Sequence, residues 1–72
     1  MQIINYVTTS SKLLRSRGFA TRAEAEHQAA EWDDLAPVRA PNDCEAASTV
    51  YTWAEWCAAA EQNEADPMEA LE

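Results

Sequence analysis

Few side chains in this 72-residue chain can do chemistry near neutral pH. It has one histidine, two cysteines, thirteen acids and one glycine. His27 has Glu24 three residues before it and Glu31 four after it. On a helix, those separations set a carboxylate beside the imidazole, where the pair can serve as a general base or simply as a surface ion pair. No nucleophile is placed beside His27 by the sequence, so the ion pair is the favoured reading. Hydrolysis by His27 and a carboxylate is a third possibility, which an unchanged rate in His27→Ala would end. Asp33 and Asp34 are adjacent, so on a helix they diverge by about 100° and chelate a divalent ion poorly. Cys44 and Cys57 form no C-x-x-C pair and, with one histidine, no four-ligand zinc pattern. They read as free thiols used as small apolar groups. Phosphate-cradling loops need several glycines, and Gly18 stands alone. The chain is therefore expected to be no enzyme and to carry no cofactor or metal.

The acids carry the stronger argument. Net charge is −8 with pI near 4.4, which repels nucleic acid and anionic membranes and favours a basic partner. The charge is also segregated. Residues 1–23 hold Lys12, Arg15, Arg17 and Arg22 with no acid, a sum of +4, whereas residues 24–72 hold every acid against Arg39, a sum of −12.

The elements that position these charges follow from periodicity and end signals. TRAEAEHQAAEWDDL, residues 21–35, reads as an amphipathic helix opened by a Thr21-x-x-Glu24 capping box. Its inward stripe is Ala25, Gln28, Ala29, Trp32 and Ala36. Gln2 to Thr8 is rich in β-branched and aromatic residues and reads as a strand, with Ile4 and Tyr6 on one side and Ile3 and Val7 on the other. A turn over Thr9–Lys12 leads to a second strand, Leu13 to Phe19, with Arg15 and Arg17 on one face. Gly18 there serves a bulge, a close approach of the sheet to the helix, or a permissive loop position.

After the first helix, Pro37 and Pro41 bracket a connector. Asn42-x-x-Glu45 is a box-like start that opens a short turn of helix. Ser48 to Tyr51 is a candidate third strand, and Thr52-x-x-Glu55 caps a helix through about Gln62. Tyr51 and Trp56 are placed to pack across that cap as a hydrophobic staple. The competing reading is one helix from Asp43 to Gln62, against which Thr49, Val50 and Thr52 weigh through their restricted χ1 freedom. Asp66, Pro67 and Glu69 imitate a further cap, so residues 63–72 form an acidic tail or one short helical turn. The whole is an α+β domain over residues 1–62, an N-terminal antiparallel hairpin with a third candidate strand packed against two amphipathic helices, order ββα(β)α. At this length the core is small and stability modest, since a domain of about 60 residues buries only about 60% of its unfolded surface; monomer and weak homodimer both fit. The opening residues lack a secretory signal and no apolar run approaches the ~18 residues of a membrane span, so a cytoplasmic location is expected.

Helix macrodipoles favour acids at N-termini and cations at C-termini. Glu24 and Glu55 obey this rule. Asp33 and Asp34 end the first helix and Glu61 and Glu64 the second, each against the rule and with no lysine or arginine in either last turn. Local departures of this kind are where functional sites tend to lie, although a surface shaped for solubility would also tolerate them. Glu24 and Glu31 stand about 10 Å apart along the axis at 1.5 Å per residue. Phosphates lie on the order of 7 Å apart along a strand, so such a row of carboxylates can imitate nucleic acid in a Lys/Arg-lined groove. Trp53, one residue past its cap, is an aromatic anchor for a protein contact or a core residue against the sheet.

In size, acidity, Ala/Glu-rich helices and an N-terminal strand pair, the chain resembles the small phage-encoded inhibitors known as anti-CRISPR proteins. The resemblance lies in overall character, and no residue role is carried over. It implies binding to a subunit of a CRISPR effector complex in a bacterial host cell. The expected function is thus a small acidic inhibitor that blocks a basic, nucleic-acid-binding partner through Glu24, Glu31, Asp33, Asp34, Glu61 and Glu64. The alternative is an antitoxin or phage accessory protein that binds through an apolar patch around Trp53.

Overall fold

The computed structural model describes residues 3–35 and 48–72. Five elements follow in the order β1 (Tyr6–Ser10), β2 (Arg15–Phe19), α1 (Arg22–Leu35), β3 (Thr49–Thr52) and α2 (Trp53–Gln62). The strands make one antiparallel sheet in the order β2-β1-β3, so the chain is α+β. Ala36, the Pro37–Pro41 connector, the Asn42–Glu45 turn and Cys44 lie outside the described residues. No helix among the described residues is long and apolar enough to cross a membrane.

The hairpin is displaced from its expected position. The turn falls on Ser11–Leu14, two residues later than the polarity of Thr9 and Ser10 implies. Both polar residues belong to β1 because the fold satisfies their hydroxyls. Thr9 Oγ1 shares a 2.8 Å hydrogen bond with Ser16 Oγ across the ladder. Ser10 is buried, and its Oγ accepts from the Leu13 N–H at 3.2 Å. Leu14 closes the turn with φ 55°, a left-handed conformation that is uncommon for a non-glycine residue. The reading of Thr49–Thr52 as part of a long helix is excluded by its ladder with β1, in which Tyr51 faces Val7 and Val50 faces Thr8.

Register assigns the two faces of the sheet. Thr8 stands between Arg17 and Val50, and its buried hydroxyl donates to the Ala25 carbonyl of α1 at 2.6 Å. This is the α1 face, closed by buried Ala25, Gln28 and Trp32, three of the five stripe positions. Ala29, a fourth, is half-buried. Side chains alternate along a strand, so Val7 points the other way, with Gly18 and Tyr51 beside it. The Tyr51 ring meets the Trp56 ring of α2 at 6.1 Å between centroids, which is the staple that the sequence announces. Gly18 sits opposite Val7 in an unbroken one-to-one register, so it forms no bulge. A Cβ there would lie 2.8 Å from Ile4 Cδ1 and 2.9 Å from Ile4 Cγ2. The glycine admits a side chain of its own sheet face, not the helix.

Candidate functional site

Both helices start as their capping signals direct. At α2 the box is complete: Thr52 Oγ1 accepts from the Glu55 N–H at 3.2 Å, and Glu55 Oε1 accepts from the Thr52 N–H at 3.0 Å. At α1 the Thr21 hydroxyl accepts from the Glu24 N–H at 3.3 Å and donates to the Glu24 carboxylate at 2.9 Å. Glu24 and Glu31 then share a shallow groove of about 450 Å³ with Arg17, Phe19, His27 and Gln28. Within it Arg17 donates to Gln28 Oε1 and Gln28 donates to Glu31 Oε2, each at 3.2 Å. His27 Nε2 lies 3.3 Å from Glu31 Oε1, the expected i,i+4 pair, with both side chains exposed. No group of three metal-ligating side chains is found among the described residues.

The helix C-termini separate the acids into two kinds. Asp33 is half-buried, and its Oδ1 accepts from the Ser48 N–H at 2.8 Å. It joins the end of α1 to the start of β3, a structural duty that sequence spacing gave no means to see. Asp34, Glu61 and Glu64 are exposed, and their carboxylates have no cationic partner among the described residues. Trp53 is half-buried, with its backbone N–H donating to the Asn5 carbonyl at 2.8 Å.

Glu64 is the most unusual of these acids. Asn63 caps α2, the Glu64 N–H donates to the Glu61 carbonyl at 3.1 Å, and the Ala65 N–H donates to the Ala60 carbonyl at 2.8 Å. These two bonds are a Schellman motif, and they place Glu64 at its left-handed position with φ 53°. Glycine fills that position at no steric cost. Glu64→Gly is therefore expected to stabilise the fold by about 0.5–1 kcal/mol, read as a rise of a few degrees in Tm. A fall would show that the Glu64 side chain supports the fold.

Beyond Glu64 the acidic tail folds back onto the domain. Trp56 Nε1 donates to the Pro67 carbonyl at 2.9 Å. Further on, the Glu72 N–H donates to the Ser16 carbonyl of β2 at 2.9 Å, and Arg15 grips the Glu72 carboxylate with Nε and Nη2, each at 2.7 Å. The Arg15 guanidinium is itself seated over the Trp32 ring, 5.1 Å from its centroid. Its hydrogen bonds hold the Glu72 carboxyl below the ordinary glutamate value against the opposing effect of burial, with lesser help from the charges of Arg15 and Arg17. Glu55 is lowered likewise by the Thr52 N–H and hydroxyl. A depressed carboxylate contributes stability that is complete above its unfolded pKa and lost as pH falls through the folded one. Both contacts should thus outlast the pH at which an ordinary glutamate protonates and break only below it. The Glu72 side-chain carboxyl resonance in an NMR pH titration checks this, and a midpoint at the ordinary value would show that Arg15 does not hold Glu72 in solution.

Compared with protein-family models, curated proteins and solved structures, the chain matches none.

Proposed function

We propose that this protein is a small acidic inhibitor that docks on a basic, nucleic-acid-binding partner and presents carboxylates where that partner expects phosphates. The observation that supports it most is the trio Asp34, Glu61 and Glu64. Each is exposed at or just past a helix C-terminus, against the dipole, without a cationic partner among the described residues. Glu64 adds a left-handed backbone that its side chain disfavours. Helix stability alone selects none of these features. Arg15 and Arg22, by contrast, are paired within the fold to Glu72 and Glu26, so the uncompensated charge of the helix ends is negative. Glu24 and Glu31, bonded to Thr21, Gln28 and His27, supply further carboxylates on α1. The resemblance in overall character names a CRISPR effector subunit in a bacterial cytoplasm as the partner to try first. No catalytic role is assigned.

Capture from a bacterial lysate at low and high salt identifies the partner, and binding to the purified partner then tests the mechanism. The variant Asp34→Asn/Glu61→Gln/Glu64→Gln is expected to bind at least about tenfold more weakly and to lose much of the salt dependence. Asp33 stays intact because it anchors Ser48. Affinity indifferent to both salt and these substitutions would sink the proposal. A larger loss in Trp53→Ala would move the interface to the apolar surface at the start of α2.

A further inference from the structure

The tail contact at Glu72 marks a second surface, opposite in charge to the first. Alternation along β2 can be followed from its carbonyls. Phe19 accepts from the Asn5 N–H on the β1 side, whereas Ser16 accepts from Glu72 on the other. The backbone groups of Ser16 and Gly18 therefore point away from β1, and those of Arg15, Arg17 and Phe19 point toward it. At the opposite edge of the sheet, the Ser48 and Thr52 N–H groups of the β3 strand line are each taken by a carboxylate, Asp33 and Glu55. The edge of β2 has no such closure among the described residues apart from Glu72. An edge of this kind is a template for an added strand.

Three features of that edge specify what would add to it. Arg15, oriented by the Trp32 ring, offers a two-pronged fork that matches a carboxylate. The Ser16 carbonyl accepts a backbone N–H from the same residue that supplies the carboxylate. Alongside Glu72 lies a hollow of about 320 Å³ lined by Ile3, Ile4, Gly18 and Phe19 together with the charged Arg17 and Glu24. Ile3 is 70% exposed, so an apolar side chain entering the hollow would cover it. We propose that the outer edge of β2 docks an extended partner segment bearing a glutamate and a neighbouring apolar residue, and that Glu72 occupies this site in cis until such a segment displaces it. The overall charge of −8 disfavours a large acidic partner, but a short segment meets the locally basic strand that carries Arg15 and Arg17. The inference does not depend on the acidic helix ends.

The probe is the heptapeptide acetyl-DPMEALE-amide, the sequence of residues 66–72, titrated into the isotopically labelled full chain. Glu72→Ala, which removes the carboxylate from the Arg15 fork and so loosens the tail's hold on the site, is expected to show saturable shifts of the Ser16 and Gly18 amides. The unsubstituted protein should need at least about tenfold more peptide, because its own segment competes at high effective concentration. Adding Arg15→Lys to Glu72→Ala keeps the charge but removes the fork, and should weaken binding at least about tenfold. No shifts at Ser16 and Gly18 in Glu72→Ala would overturn the proposal. So would equal affinity in the unsubstituted protein, or indifference to Arg15→Lys.

Discussion

Trp32→Ala is expected to cost about 3–5 kcal/mol, the range for deleting a buried large aromatic side chain. Trp32 is 1% exposed and fills the space between α1 and the sheet. At roughly 0.05–0.15 kcal/mol per residue, a chain of this length has only about 4–11 kcal/mol of total stability. The loss would leave a substantial unfolded population at physiological temperature. Few other residues can compensate, since the buried apolar side chains among the described residues are Val7, Ala25 and Trp32. The effect should also reach Arg15, which loses the ring beneath its guanidinium, and through it the hold on Glu72. Urea unfolding followed by circular dichroism measures the loss. A change under about 1 kcal/mol would mean that α1 does not pack on the sheet through Trp32.

Thr8→Val is nearly isosteric and should nevertheless destabilise by about 1–2 kcal/mol. Thr8 is fully buried, and its hydroxyl donates to the Ala25 carbonyl at 2.6 Å. That bond ties the central strand to α1. Valine fills the volume and favours the strand, but it supplies no donor, and this is why the Val/Thr exchange is not a neutral packing change. The Ala25 carbonyl keeps its acceptor role within the helix, which holds the penalty to the modest end of the range for a broken buried bond. Equilibrium unfolding of Thr8→Val beside Thr8→Ser separates the two contributions: serine retains the donor and loses the methyl. Equal stability of Thr8→Val and the unsubstituted protein would show that packing alone sets this contact.

Much of the architecture was legible because its signals are local. The Thr-x-x-Glu boxes at Thr21 and Thr52, the Tyr51–Trp56 staple and the spacing of Ala25, Gln28 and Trp32 each need only neighbouring residues. The helices accordingly start where the sequence places them. The hairpin was shifted because polarity is a poor guide when hydroxyls are paired across a ladder, as Thr9 is with Ser16. Of the candidate contact residues, Asp34, Glu61 and Glu64 are exposed as the dipole argument implies. Asp33 is drawn into the fold by Ser48, a residue fifteen positions away.

The tail shows most clearly what a linear reading misses. Charge segregation between the basic first third and the acidic remainder is visible in the sequence, where it points to a partner. Part of it is answered within the chain, where Arg15 meets Glu72 across fifty-seven positions. The helices, their caps and the excess of acid are legible in sequence alone, because short-range backbone sterics, hydrogen bonding and composition settle those. Which acids are paired inside the fold, which remain free, and which sheet edge carries the Glu72 contact are outcomes of the tertiary structure. Those depend on pairings between residues distant in the chain, which no local pattern encodes.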